Sequence, residues 1–268
     1  MTRPFRFGVV APIYTDLPTW LDRARRIADS GYSTLLMPDF PLLQPAPGPV
    51  LATVAALTDL RVGSWVYASP LRPSWLTAWE AHSLSLMTGG RFEMGIGTGR
   101  PGIEDELRDR GIPGVPPPSE RLASIRETVT ALRDFDGPDR HTPVAMAVSG
   151  PKARALAAEF ADTVTFPLGT QPRAEIASLT ANFRAAGTIE LALAIPIIGD
   201  YVAPHMAPPG TDPAPFHAAD AVIALPDDPA AAAEEIQRRR EELGFSYFVF
   251  GADYADRFAP LVAKLTGT

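Results

Sequence analysis

Three segments set ligand-holding groups at the ends of short apolar runs. In GGRFEMGIGTGRPG (89–102), Phe92, Met94 and Ile96 alternate with Glu93, Gly95 and Gly97, the period of a strand, and the run then breaks into glycines. Gly97 and Gly99 allow backbone conformations closed to other residues and a close approach of the main chain to a ligand. Residues 97–102 also match G-x-G-x-x-G. The dinucleotide fingerprint, however, needs a helix opening within the glycines after a first strand, and here Pro101 and Gly102 delay the helix and the strand is the fourth. A ligand-facing turn and a purely structural tight turn both fit.

The second segment, AVSGPKAR (147–154), is a strand end, a small turn and a helix with proline at its first position. Free N–H groups at such a start converge on one point and favour an anion, and Lys152 and Arg154 add positive charge. Ser149, Gly150, Pro151 and Lys152 are therefore candidates for an anion cradle. The same residues also read as an ordinary well-started helix carrying two solvated bases. The third, SWVYASPL (64–71), ends a strand with Trp65 and Tyr67 on one face and Ser64, Val66 and Ala68 on the other. Such a bulky end can press on a flat ring or belong to the core.

Asp39 closes the second strand and Tyr14 follows the first, positions from which a side chain can give or take a proton, although an exposed loop is as available to both. The four histidines show no metal-ligand spacing, and His82 sits within a helical pattern as a packed or surface residue. With no cysteine and no G-x-S-x-G elbow, thiolate chemistry, Cys-ligated metal and serine-hydrolase chemistry are disfavoured. No metal site is expected.

Positioning these residues takes a regular alternation of elements. Short apolar strands are expected at 7–10, 34–37, 61–67, 92–97, 144–148, 163–166, 191–195 and 247–250. Helices are expected at 17–30, 49–57, 73–87, 119–135, 151–160, 174–186, 229–243 and 256–265, with Gly31 ending the first and Asp228-Pro229 starting the seventh. Eight strands buried on both sides, each followed by helix, within 268 residues, predict a single-domain α/β fold spanning 1–268, a (β/α)8 TIM barrel. A doubly wound open sheet alternates in the same way, so the count of eight decides. Two stretches fall outside: the proline-rich 111–118, and 196–226, about thirty residues with His205 and His217. The latter reads as a lid or a disordered loop after strand seven, at the mouth where barrel sites are built.

Hydrophobic residues make up 46% and the formal net charge is −7, with no basic run, so nucleic acid and anionic membranes are not expected partners. The start MTRPFRFGVVAP carries too short an apolar run for a signal peptide, and no 18-residue apolar segment follows, so the expectation is a cytoplasmic protein acting on a small molecule.

Four segments together resemble the bacterial luciferase-like monooxygenase superfamily, and within it the coenzyme F420-dependent oxidoreductases: GYSTLLMPDF (31–40), RPSWLTAWEAHSLSLMTGGRFEMGIGTG (72–99), MAVSGPKARALAAEFADTV (146–164) and PAAAAEEIQRRREELGFSYFVF (229–250). The resemblance implies a luciferase-like barrel with a deazaflavin, or alternatively FMN, at the C-terminal mouth. It sets residues 64–68 as a bulge against the ring, often with a cis non-prolyl peptide, and Gly97, Thr98 and Gly99 beside the ring. Ser149, Gly150, Pro151 and Lys152 would hold the phosphate-bearing tail, and Asp39 matches the aspartate of an Asp-His pair. It also implies a homodimer through the helices after strands two and three. The sequence departs from the pattern at Phe40, which replaces that histidine, and at Arg100, which stands where the sugar-phosphate dehydrogenase branch has glutamate and so becomes the candidate substrate residue. The implied activity is hydride transfer between deazaflavin C5 and an organic substrate, reduction of an activated C=C or C=N bond being one example. The alternatives are an FMN-dependent monooxygenase and a non-catalytic barrel serving as a subunit or scaffold.

Overall fold

A computed structural model describes residues 3–41, 43–100, 102–109, 111 and 116–268. Pro101 of the glycine motif and 112–115 of the proline-rich connection lie outside the described residues. The chain runs β1 (Arg6–Val10), α1 (Leu17–Asp29), β2 (Thr34–Met37), α2 (Pro47–Leu57), β3 (Arg61–Ser64), β4 (Tyr67–Ala68), α3 (Ser74–Met87), β5 (Phe92–Gly97), α4 (Ile103–Asp109) and α5 (Pro118–Asp136). It continues with β6 (Val144–Ala147), α6 (Pro151–Phe160), β7 (Thr163–Thr165), α7 (Arg173–Ala186), β8 (Glu190–Ile195), β9 (Ile197–Ile198), β10 (Tyr201–Val202), α8 (Ala214–Ala218), β11 (Ala224–Leu225), α9 (Pro229–Leu243), β12 (Phe245–Gly251) and α10 (Ala255–Leu265).

The main sheet is parallel throughout, in the order β3-β2-β1-β12-β8-β7-β6-β5-β4, and a β3–β5 pairing closes it. With β3 and β4 counted as two halves of one strand, this is the expected eight-stranded (β/α)8 barrel, not an open sheet. Local chemistry explains the elements. Asp16 caps α1 by accepting from the Thr19 amide at 3.0 Å, and Trp20, Ala24 and Ile27 bury one stripe against the barrel. Asp228 does the same for α9, which ends at left-handed Gly244.

Three expectations need correction. The third strand is not continuous over 61–67. Between Gly63↔Glu93 and Tyr67↔Ile96 four steps on one side face three on the other, a one-residue bulge, and the Trp65–Val66 peptide is cis. Residues 103–109, assigned no element from the sequence, form α4, because Ile103 and Leu107, one turn apart, bury together against Ala68. The 196–226 stretch is not structureless. β9 pairs with β10 antiparallel and with β11 in parallel, and Ile197 and Ile198 are buried, so the insertion carries a small sheet of its own.

The two barrel ends differ. At the N-terminal ends of the strands, Glu93 meets Arg6 at 2.7 Å and Arg61 at 2.5 Å, and Glu190 meets Arg6 at 2.7 Å. The Arg6 guanidinium lies 3.6 Å from the centroid of the buried Tyr247 ring. At the C-terminal ends the strands open into a cavity.

Candidate functional site

Residues just past the C-terminal ends of β2, β4, β5, β6 and β7 line a cavity of about 710 Å³, within the range of cofactor pockets. The ring of strand ends alone would make a shallow dish. Depth comes from the insertion after β8, which brings His205 to the wall, and from α4, which brings Ile103.

One wall is the bulge. Trp65, Val66 and Ala68 line the cavity, whereas Ser64 and Tyr67 do not. The expected alternation of faces is lost because the strand is interrupted there. Ser64 instead links the strands, its hydroxyl donating to the Gly95 carbonyl at 2.8 Å and accepting from the Gly95 amide at 3.0 Å. Tyr67 is buried toward α3, where its hydroxyl donates to Glu80 at 2.9 Å, and burial first and then the Glu80 charge push its phenol well above the ordinary value. Beside the bulge, at the end of the paired strand β5, Gly97, Thr98, Gly99 and Arg100 continue the lining.

The glycines of β5 have a reason that the sequence did not disclose. A Cβ at Gly95 would come 2.0 Å from the Ser64 carbonyl oxygen and 3.0 Å from Val66, and one at Gly97 would come 3.0 Å from Val66. They make room for the neighbouring bulge. Gly99 has φ +88, and a Cβ there would meet Ile103 at 2.9 Å. Arg121, not singled out from the sequence, steadies this turn: its side chain is buried and donates to the carbonyls of Pro116 (2.8 Å) and Thr98 (3.3 Å).

Asp39 lines the cavity but is committed on both oxygens. Arg72 Nε and Nη2 donate to them at 2.8 and 3.0 Å, and the Ala68 amide donates at 3.2 Å. Although burial opposes it, the Arg72 pKa is raised, with Asp39 the principal partner. The pair clamps β4 to the end of β2 just past the bulge. Phe40, in the position of the pattern's histidine, lines the cavity with the Arg100 guanidinium 6.0 Å from its ring.

Of the expected anion cradle, Ser149 lines the cavity; Gly150, Pro151 and Lys152 lie just beyond it at the start of α6. No side chain caps that helix, and a Cβ at Gly150 would meet nothing within 4 Å. Lys152 is exposed, and Arg154 turns back to donate to the Ser149 carbonyl at 2.8 Å. Tyr14 is 60% exposed and does not line the cavity; its ring centroid is 6.2 Å from that of His205. Burial, then the Asp253 charge, raises its phenol. His82 pairs with Asp136 at 2.8 Å, far from this chemistry.

A cavity walled by the bulge and the adjoining glycine turn, with Ser149 and an uncapped helix start at its edge, has room for a planar ring bearing an anionic tail. The chain is a luciferase-like (β/α)8 barrel. Its residues 5–135 match the family described as luciferase-like monooxygenase, in a superfamily of oxidoreductases and monooxygenases. The monooxygenase RslO1 from Streptomyces bottropensis superposes with a TM-score of 0.72 at 18% identity, over 97% of this chain and 98% of that one. The coenzyme F420-dependent tetrahydromethanopterin reductase from Methanopyrus kandleri gives 0.69 at 17%, over 99% of each. A riboflavin lyase solved with modified FMN and riboflavin gives 0.69 at 16%, over 98% of this chain and 92% of that one. At these identities the likeness is one of fold. No curated protein matches the chain. Among the described residues no helix is long and apolar enough to cross a membrane.

Proposed function

We propose that this barrel is an F420-dependent reductase or dehydrogenase acting on a small organic substrate. One observation carries the reading: the bulge at Trp65–Val66 and the Gly97–Thr98–Gly99 turn on the paired strand β5 adjoin as one wall of a cavity that also reaches Ser149, just before α6. Trp65 and Val66 would bear on one face of the ring, while the glycine turn borders it. Ser149 and the first amides of α6 would hold the phosphate of the tail, with Lys152 adding charge. F420 is preferred to FMN on the resemblance of the four sequence segments, and the exposed Lys152 would add charge beside its tail. When bound, the deazaflavin supplies a two-electron hydride donor or acceptor at C5.

The chain's own residues would supply position and a dry pocket. Asp39, held by Arg72, fixes the bulge and so the ring plane; with both oxygens engaged it suits this task better than proton transfer. Tyr14, at the rim, could exchange a proton only with a substrate reaching outward. Arg100 beside Phe40 would meet the substrate. A cytoplasmic setting agrees with the cysteine-free composition.

We also propose a homodimer through α3. Trp75 and Trp79 stack one turn apart with centroids 6.3 Å apart, yet are 61% and 53% exposed, and Leu76 and Met87 extend the apolar face.

The test of the cofactor is a pair of titrations of the purified protein, with F420 and with FMN, followed by fluorescence quenching. Saturable quenching of F420 at low micromolar concentration is the expected result. Tight FMN binding with no response to F420 would replace the reading by an FMN-dependent monooxygenase.

A further inference from the structure

The cofactor reading uses one arc of the mouth, from the bulge through the end of β5 to Ser149, and leaves two flanks of the cavity unassigned. On the β2 side these are Pro38, Phe40, Leu71 and Ile103. On the β7 and β8 side they are Phe166, Pro167 and Ala194, joined by His205 from the insertion. Both flanks present carbon. Even His205 does so: it lines the cavity, yet both its ring nitrogens are shut off from solvent, with the Val10 backbone beside them, so the ring turns carbon inward.

The flank on the β2 side is one connected surface. Asp39 and Arg72, bonded at 2.8 Å, bring together their sequence neighbours Phe40 and Leu71, both of which line the cavity. Leu71 packs on the cluster of Ala68, Ile103 and Leu107. Gly99, at φ +88, lets Ile103 come close, since a Cβ there would lie 2.9 Å from it. On the other flank Phe166 is held by Phe183, their ring centroids 6.0 Å apart.

Polar groups on these flanks are few among the described residues, and most are engaged. Asp39 has both oxygens on Arg72, and Arg121 donates to the Pro116 and Thr98 carbonyls. Arg100 is exposed, its guanidinium 6.0 Å from the Phe40 ring, so its charge stands at the rim in water, where an ion pair contributes little. Thr165 adds a hydroxyl at the end of β7. A sugar phosphate or an amino acid would bring several polar groups into this space, each stripped of water and offered carbon in return, and each such group costs affinity.

We propose that the substrate is a neutral, mostly hydrocarbon carbonyl compound, a lipophilic ketone or enone bearing a flat ring, and that Phe40 with Leu71 and Ile103 is the surface that selects it; this rests on the oxidoreductase reading above. Phe40 offers a ring to stack on, and Leu71 and Ile103 offer branched aliphatic surface, so hydrocarbon laid against them leaves water. The residue in the place of the pattern's histidine thus exchanges a polar contact for an apolar one. Such a substrate carries one polar group, its carbonyl, in keeping with a lining that supplies the Thr165 hydroxyl and little else.

The test uses two ligands of one skeleton, benzylideneacetone and its 4-carboxylate, titrated by calorimetry into F420-loaded protein at about pH 7. The neutral ketone should bind at least about tenfold more tightly, because the carboxylate gives up water for carbon. Its binding should also show a negative heat-capacity change, the mark of apolar burial. Phe40→Ala should weaken benzylideneacetone by about fivefold or more, and Leu71→Ala, at a second point of the same surface, by about threefold. Phe40 lies outside the strands and is only partly buried, so its variant should melt within about 2 °C of the wild type. A 4-carboxylate that binds as tightly as the ketone, or more tightly, makes Arg100 the selecting group and overturns the proposal. Unchanged ketone affinity in both variants overturns it too, as does a protein that quenches F420 but takes up neither ligand; the oxidoreductase reading stands in all three cases. If the wild type does not quench F420, the cofactor reading falls, and the same two ligands titrated into protein without cofactor decide the apolar surface by the same criteria.

Discussion

Replacing Gly95 by alanine tests whether the glycines of β5 exist for the neighbouring strand or for the ligand. The new Cβ would lie 2.0 Å from the Ser64 carbonyl oxygen and 3.0 Å from both the Ser64 carbonyl carbon and Val66 Cγ1. A carbon and an oxygen need about 3.3 Å, so the strands must part by more than about 1 Å, and both are backbone, unable to rotate away. They are also joined by the two Ser64 hydroxyl bonds, which such a shift would break. Overpacking typically costs about 1–3 kcal/mol, and backbone against backbone should reach the top of that range even after the small gain from removing a glycine. For a chain of this size that is a fall in Tm of roughly 6–12 °C. Gly97→Ala is the control. Its Cβ would press only on the Val66 side chain at 3.0 Å, with Ala147 Cβ at 3.4 Å and the Ala147 carbonyl oxygen at an ordinary 3.6 Å, and a methyl can give way, so less than about 1 kcal/mol is expected. Thermal and urea unfolding of the two variants would show the contrast, and F420 titration should find affinity weakened in Gly95→Ala because the Trp65–Val66 wall moves. Equal melting temperatures would refute the steric account.

Three further outcomes follow from the same contacts. Burial alone would raise the Glu93 carboxyl, but Arg6 and Arg61 outweigh it and hold its pKa below the ordinary 4.5, so its stabilisation is present above that value and is lost as pH falls through the lowered folded one. Glu93→Gln should flatten the acid limb of the urea midpoint against pH and cost about 3 kcal/mol at pH 7, since Arg61 loses its carboxylate and Arg6 is left with Glu190 alone; an unchanged acid limb would place the sensitivity elsewhere. Lys152→Ala should weaken F420 binding by about two- to fivefold at low ionic strength and hardly at all at 0.5 M salt, as an exposed charge near a helix start is screened; a salt-independent loss would argue against a purely electrostatic contact. Trp79→Glu should convert a dimer to a monomer on size-exclusion chromatography with light scattering, leaving F420 affinity intact, because α3 faces away from the cavity; a wild type that already runs as a monomer would remove the dimer proposal.

The barrel was legible because its signals are local. Strands buried on both faces show as apolar runs, Asp16 and Asp228 sit at helix starts, and Gly31 and Gly244 sit just past helix ends, so the elements fall close to where the pattern sets them. What escaped depends on distant partners. Gly95 is read only as part of one face of an alternating strand until Ser64, thirty-one residues away in sequence, is seen against it. Tyr67 shares a period with Trp65 only if the strand is continuous, and the bulge removes that condition. Asp39 was legible as a site residue, but its engagement by Arg72 was not, since nothing in the spacing from 39 to 72 marks a pair. His205 stood in a stretch suspected of covering the mouth, without a periodic neighbour to say which way it points; like His217, it was marked only as a histidine in a segment rich in proline, alanine and aspartate. The pair Ile103 and Leu107 could have revealed α4 by its spacing of four amid charged residues.

The small sheet after β8 has a bearing on how such an enzyme could be altered. Its strands pair with one another, and its outer edge is anchored by the buried Arg239 donating to the Ala224 carbonyl at 2.6 Å and by the Tyr254 hydroxyl donating to the Ile198 carbonyl at 3.0 Å. A segment that closes its own hydrogen bonds can be exchanged as a cassette between its two anchor points without disturbing the register of the barrel beneath. Swapping 197–225 among barrels of this shape would then change which group overhangs the ring while the ring's own seat stays as it is, giving substrate choice and cofactor choice separate addresses along the chain.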